Sequence, residues 1–133
     1  MDDRERYDKG LTVRRAVLGD AHVERSLDRR GSFNDEFQDL ITRYCWGEIW
    51  TRPGLPRHTR SLLTVALMVA LNRPDEFRLH VRAAFNNGVT RDEIKEVLLH
   101  CAIYAGVPAA NSAFHMAEEV FAQMETLPPA GKA

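Results

Sequence analysis

The chain has 133 residues, of which 44% are hydrophobic, a length and composition typical of one globular domain. Its 18 basic and 19 acidic residues are interspersed and give a formal net charge of −1, which argues against a nucleic-acid partner. We therefore expect a single domain over residues 1–133, with its core over about 6–124 and a flexible tail over 125–133.

The start of the chain lacks the basic stretch and apolar core of a secretory signal, so we expect a cytoplasmic protein with no membrane partner. Its two cysteines, Cys45 and Cys101, are far apart and form neither a C-x-x-C motif nor a metal-type spacing. We expect two free thiols and no disulfide.

Apolar residues recur at helical spacing along nearly the whole chain, and no stretch alternates as a half-buried strand does. This pattern predicts an all-α fold of six or seven helices. The predicted segments are residues 3–18, a short helix capped by Asp20, residues 32–50, residues 57–72, a helix from Pro74 to "NNG", a helix from Thr90 to Gly106, and a helix from Pro108 to about Met124.

Local signals mark several of these helix ends. Ser32 is the candidate N-cap of the third helix, and Thr90 with Glu93 matches a capping box. Gly88 suits the left-handed residue that follows a helix. The prolines of "TRPGLP" separate the third helix from the fourth.

The fourth helix contains "LLTVALMVAL", which is apolar on nearly every face and must therefore be covered all round. A domain this small has difficulty enclosing such a helix, so we expect subunits to pack there in a homo-oligomer. The alternative is a central core helix in a monomer.

An acidic residue falls on an apolar stripe of the third helix. The stripe is Phe37, Leu40, Ile41 and Tyr44, and Glu48 follows four residues after Tyr44. This spacing predicts that the carboxylate points inward, where its environment could alter its ionisation.

The fifth helix carries a histidine on its apolar stripe, because His80 lies among Phe77, Val81 and Ala84 at helical spacing. His80 and Glu48 could meet as an acid/base pair in an apolar site. The alternative is a hydrogen bond between the two that only satisfies both groups in the core.

Other titratable residues are weaker candidates for a functional site. His100 and His115 lie beside their apolar stripes and should be half-exposed. His115 and Glu118 form an H-x-x-E pair, but nothing suggests the further ligands that a metal site needs, so we expect no metal. Glycine-rich phosphate loops, nucleophile elbows and HExxH are also absent from the sequence.

Arginines and tryptophans surround Glu48 in the sequence. The flanking arginines are Arg43, Arg52, Arg57 and Arg60. Arginine suits bidentate binding of carboxylates, so an anionic small molecule is a plausible ligand, although single arginines are more often solvated surface charges. Trp46 and Trp50 are either part of the substrate site or anchors of a core or interface.

The segments "YCWGEIWTRPGL" and "NNGVTRDEI" lie within a match over about residues 6–122 that resembles the carboxymuconolactone decarboxylase family. The first segment is far more specific than the second, which is shared loosely across a superfamily that includes alkylhydroperoxidase D-like proteins. The resemblance implies an all-helical subunit with the alkylhydroperoxidase D-like fold in a ring-like homo-oligomer, commonly a hexamer.

The resemblance also implies an activity. It is the decarboxylation, without a cofactor, of 4-carboxymuconolactone to 3-oxoadipate enol-lactone in protocatechuate catabolism. On this basis His80 would protonate the substrate carbon, while Glu48 would hold the imidazole of His80 and keep it charged. Alternatively, Glu48 would itself be the proton donor. The candidate substrate-binding residues are Arg60, Arg57, Arg52, Trp46 and Trp50.

Two other classes of function stay open. Redox members of the superfamily carry a C-x-x-C motif where this chain has Arg60-Ser61-Leu62-Leu63, so peroxide reduction lacks its thiol pair. The second alternative is a non-catalytic oligomeric binding protein in which Glu48 and His80 are a structural pair.

Overall fold

The computed structural model describes residues 1–126, and its regular elements over that range are all helical. The α-helices are α1 (Asp3–Leu18), α2 (Asp20–Asp28), α3 (Asp35–Leu40), α4 (Arg57–Ala70), α5 (Pro74–Ala84), α6 (Arg91–Tyr104) and α7 (Val107–Glu125). Helix α3 continues directly as a π-helical segment, Ile41–Ile49. The predicted all-α class is confirmed, and the predicted tail beyond residue 126 lies outside the described residues.

Most predicted helix ends are confirmed. Thr90 and Glu93 form the capping box in both directions, and Gly88 has a φ of +81°. Two caps differ by a residue or two. Gly19 precedes α2, so Asp20 is its first residue. Asn34 rather than Ser32 precedes α3, and its side-chain oxygen accepts from the Gly31 amide at 2.9 Å instead of capping the helix.

The chain divides into two compact units, and the division falls within α4. The first unit, Met1–Arg60, has a small apolar core of Val13, Val17, Trp46 and Trp50. The single domain predicted over residues 1–133 stays a prediction.

One arginine links several segments of the first unit. Arg30 forms ion pairs with Asp35 and Asp39 and donates a hydrogen bond to the Tyr7 hydroxyl at 3.2 Å. Because these partners lie on α1 and α3, the guanidinium ties the end of α2 to both neighbouring helices.

The second unit begins at Ser61 and has the larger core. Helices α5, α6 and α7 supply most of it, with two valines from α4. The buried residues are Val65, Val69, Phe77, Val81, Ala84, Val89, Ile94, Leu98, Cys101, Ala113, Ala117 and Val120.

Helix α4 is buried on one side only. Val65 and Val69 are buried, whereas Leu63, Leu67 and Leu71, spaced four residues apart, are 49–56% exposed. Packing within the second unit therefore covers only one side of this helix, and the choice between a subunit contact and a central core helix in a monomer stays a prediction.

Cys45 and Cys101 are both free thiols. Among residues 1–126, no three histidine, cysteine or acidic side chains are grouped so as to hold a metal ion. Nor does that part of the chain contain a helix of the length and apolarity needed to cross a membrane.

Candidate active site

One face of α1 packs directly against the π-helical segment. Arg6, Gly10 and Arg14, spaced four residues apart, lie on this face. A Cβ atom on Gly10 would lie 1.9 Å from the Thr42 carbonyl oxygen, and one on Gly47 would lie 2.2 Å from the Arg6 carbonyl oxygen. The two backbones can approach this closely only because both positions are glycine.

The π-helical segment changes which residues face inward. The Trp50 amide donates to the Cys45 carbonyl five residues earlier at 3.0 Å, a pattern that often occurs at functional sites. Thr42, Trp46 and Gly47 are the buried residues of the segment.

The predicted inward stripe is wrong in this region. Phe37 and Leu40 of α3 and Tyr44 of the π-helical segment are 40–57% exposed, whereas α1 packs on the side of the segment that carries Thr42 and Gly47. From Ile41 onward the uniform 3.6-residue period also fails, because the chain changes from α- to π-helical hydrogen bonding.

Glu48 lies at the edge of this contact. Its side chain is 40% exposed, so the prediction that it points into the core is wrong. Its Oε2 accepts a hydrogen bond from the Arg6 Nε at 3.3 Å, which makes an ion pair between α1 and the π-helical segment.

Arg14 is the buried cation of the same face, with only 4% of its surface exposed. Its Nη1 donates to the Thr42 hydroxyl at 3.4 Å, and its Nε has no hydrogen-bond partner among residues 1–126. Burial lowers the pKa of this guanidinium, because the charged form loses its hydration.

The two tryptophans belong to the core of the first unit. Trp46 and Trp50 are 5% and 8% exposed, and their ring centroids lie 5.1 Å apart. They pack with Val13 and Val17, which agrees with the alternative of core anchors. Their role in substrate binding stays a prediction.

The candidate carboxylate-binding arginines follow the π-helical segment. The Arg60 Nη2 donates to the Arg52 carbonyl oxygen at 3.3 Å, so these two residues are brought together. Arg57, the first residue of α4, is exposed, as is Arg52.

His80 lies on α5 in the second unit and is half-buried, beside the fully buried Phe77 and Val81. Glu48 belongs to the first unit, and the proposed pairing of Glu48 with His80 stays a prediction. His100 and His115, predicted to be half-exposed, are exposed.

The second unit also contains a cleft of about 260 Å³ between α6 and α7. Charged side chains, among them Arg91, Lys95 and Glu118, line it together with Leu98 and Phe121. None of the predicted site residues lines this cleft, so it does not support the site that the sequence predicted.

Sequence reasoning missed the α1 side of the site. Gly10 is the available signal, because a glycine inside a helical pattern is unfavourable relative to alanine and so suggests a packing reason. The two arginines four residues to either side share its face and therefore reach the same partner segment.

Comparison with known proteins adds a family and several relatives. The model of the Carboxymuconolactone decarboxylase family matches residues 35–119. A protein from Acinetobacter baylyi named 4-carboxymuconolactone decarboxylase is 59% identical over 128 residues, which cover 96% of each chain. A nitrosuccinic acid decarboxylase from Metarhizium robertsii is 42% identical over 121 residues, covering 91% of this chain and 85% of that protein. A Pseudomonas putida sequence named 4-carboxymuconolactone decarboxylase is 58% identical over 48 residues, 36% of this chain and 100% of that sequence.

Proposed function

The chain belongs to the carboxymuconolactone decarboxylase family, and we propose on this premise that it decarboxylates 4-carboxymuconolactone to 3-oxoadipate enol-lactone in protocatechuate catabolism. The observation that carries the proposal is the 59% identity, over 96% of both chains, to the Acinetobacter baylyi protein of that name.

The substrate explains why such a reaction proceeds without a cofactor. It is an unsaturated γ-lactone with a carboxylate on its γ carbon. When CO₂ leaves, the electrons of its bond to the γ carbon form a double bond between the β and γ carbons. The electrons of the former ring double bond shift towards the lactone carbonyl, whose oxygen takes the negative charge. A proton delivered to the α carbon then gives the enol-lactone. The protein supplies orientation, stabilisation of the developing oxyanion, and that proton.

The proposed acid/base groups are Glu48 and His80. In the first assignment His80 protonates the α carbon while Glu48 keeps the imidazole charged, and in the second Glu48 is the donor. Neither side chain is sealed in a core, because both are partly exposed, and this accessibility supports a role in chemistry.

Separate Glu48→Gln and His80→Asn variants distinguish these assignments. The true donor should remove one limb of the pH–rate profile and lower kcat at least about tenfold. If both variants keep near-normal turnover, neither residue is the donor. A Glu48→Ala protein that unfolds or dissociates, instead of staying folded and inactive, would favour the structural alternative.

The arginines Arg57 and Arg60, with Arg52 next, are the proposed partners of the substrate carboxylates. The contact between Arg60 and the Arg52 carbonyl supports a shared location for two of them. Arg60→Ala should raise KM and change kcat little, and an unchanged KM would remove Arg60 from the site.

We further propose that the protein is a homo-oligomer, with a hexamer as the expected size. A leucine row on α4 and just after it supports this, because Leu63, Leu67 and Leu71 are 49–56% exposed. Sedimentation of the wild type and of Leu67→Glu should give an assembly in the first and smaller species in the second. A monomeric wild type would overturn the proposal.

The cytoplasm is the proposed compartment of the reaction. Both cysteines are free, as is usual in a reducing environment. Cell fractionation should recover the decarboxylase activity with the cytosolic fraction, and its recovery elsewhere would contradict the proposal.

The decisive assay incubates chelator-treated protein with 4-carboxymuconolactone and measures CO₂ and enol-lactone in equal amounts. Nitrosuccinic acid serves as a second substrate, because a relative at 42% identity is named for it. Release of CO₂ from the lactone well above the spontaneous rate is expected. No release of CO₂ from the lactone would overturn the proposal. Faster release from nitrosuccinic acid would identify nitrosuccinic acid as the better substrate.

A further inference from the structure

The contact between α1 and the π-helical segment fixes where Arg6 lies. Gly10 and Gly47 let the two backbones touch, and the Arg6 carbonyl is itself one of the atoms against Gly47. Arg6 therefore lies one turn before the closest approach on α1, and Glu48 lies next to Gly47 on the partner segment. Their separation depends on backbone packing and not only on two flexible side chains.

The Arg6 side chain is held from several sides. Its Nε donates to Glu48 Oε2 at 3.3 Å and its Nη1 donates to Asp3 Oδ1 at 3.2 Å. The guanidinium also lies 5.6 Å from the centroid of the Tyr44 ring, and the Tyr44 hydroxyl donates to the same Asp3 oxygen at 3.0 Å. Arg6 is thus oriented by contacts on both sides of the interface.

Charges in the first unit around Glu48 come from both of these segments. Arg6 and, beyond it, Asp3 belong to α1, whereas Tyr44 and the nearby Arg43 belong to the π-helical segment. Partial burial lowers the pKa of Arg6, but the hydrogen bond and charge of Glu48 outweigh it, so this pKa is raised above its ordinary value. Arg6 is therefore a permanent cation beside the carboxylate.

We propose that Arg6 is a positioning residue for the decarboxylation, which holds the Glu48 carboxyl group in one orientation through its hydrogen bond to Oε2. This inference rests on the proposed function and applies to either acid/base assignment of Glu48 and His80. A misplaced catalytic group lowers the rate even when it is still present, so the orientation of Glu48 should affect kcat.

The test compares Arg6→Gln, Arg6→Lys and the matched control Arg4→Gln, whose residue lies two positions away on the same helix and is exposed. Arg6→Gln should lower kcat about tenfold with little change in KM, since orientation and not binding is lost. Arg6→Lys should recover part of the rate because it keeps the charge, and Arg4→Gln should match the wild type.

Two further measurements exclude a merely structural role. In a Glu48→Gln background, Arg6→Gln should cause no additional loss of kcat, because its effect passes through Glu48. Circular dichroism should show that all variants are folded, since a partly exposed ion pair contributes little to stability.

The outcomes separate this inference from the proposed function. An unchanged kcat in Arg6→Gln, an equal loss of kcat in the Glu48→Gln background, or a raised KM with unchanged kcat would each overturn the role of Arg6. A wild-type protein that releases no CO₂ would overturn the proposed function itself, whereas an active wild type with an unaffected Arg6→Gln variant would overturn only the role of Arg6.

Discussion

Each of the two units is packed internally in a different way. In the first, α1 meets the π-helical segment through two glycines, and arginines flank the contact on the same helix face. In the second, α5, α6 and α7 bury a large set of aliphatic and aromatic side chains, among which Phe77 and Ile94 are almost inaccessible.

The apolar core chiefly stabilises the fold, whereas the glycine contact chiefly fixes the positions of side chains. Apolar packing contributes in proportion to buried area and tolerates changes of residue that keep the volume. A glycine contact contributes little area but fixes the distance between two backbones, and so it can place charged side chains beside each other. The candidate residues around Glu48 lie at the glycine contact of the first unit. Substitutions can test the glycine contact and the apolar core separately.

The largest effect is expected from the apolar core. Phe77→Ala removes a fully buried ring and should lower the free energy of unfolding by about 3–5 kcal/mol. Phe33→Ala is the matched control, because Phe33 is fully exposed, and it should change the free energy by no more than about 0.5 kcal/mol. Urea denaturation measures both, and similar losses would contradict the assignment of this core.

The glycine contact should be the next most sensitive. An alanine in the interior of a helix normally stabilises, but Gly10→Ala should destabilise by about 1–3 kcal/mol because its methyl would overlap the Thr42 carbonyl. Gly31→Ala is the control, since nothing lies within 4 Å of the added carbon. A stabilised Gly10→Ala protein would show that the helices are not in contact there.

The buried Arg14 should contribute little. It loses hydration without a described carboxylate partner, and its hydrogen bond to Thr42 is long at 3.4 Å. Arg14→Met should therefore leave the free energy of unfolding unchanged or raise it by up to about 1 kcal/mol. Arg15→Met, which breaks a 2.6 Å ion pair with Glu24, should lower it slightly. A loss above about 2 kcal/mol in Arg14→Met would mean that the guanidinium stabilises the fold.

The smallest effect concerns pH. Burial raises the pKa of the Cys45 and Cys101 thiols, so the folded state holds these protons more tightly than the unfolded state. The contribution of this tighter binding to the free energy of unfolding is fully present below the ordinary thiol pKa of about 8.5. It is lost as pH rises through the raised pKa values of the folded state. Urea midpoints at neutral and alkaline pH should fall less in a Cys45→Ala, Cys101→Ala protein than in the wild type. Equal falls would contradict the burial of the thiols.

The sequence by itself determined the helical class, most helix ends and the buried stripe of α5, because these follow from local periodicity and capping chemistry. Phe77, Val81 and Ala84 were predicted to be inward and are fully buried, and the Thr90 capping box forms as its spacing requires. The resemblance carried by "YCWGEIWTRPGL" agrees with the family match over residues 35–119.

Only the tertiary structure decided the surroundings of Glu48. Helix α1 packs on the side of the π-helical segment that carries Thr42 and Gly47, and Glu48 lies at the edge of this contact, partly exposed. The partner of Glu48 lies 42 positions away in sequence, on a helix whose approach depends on glycines in both segments. Periodicity within one helix cannot report such a contact, because it is a property of two backbones packed together.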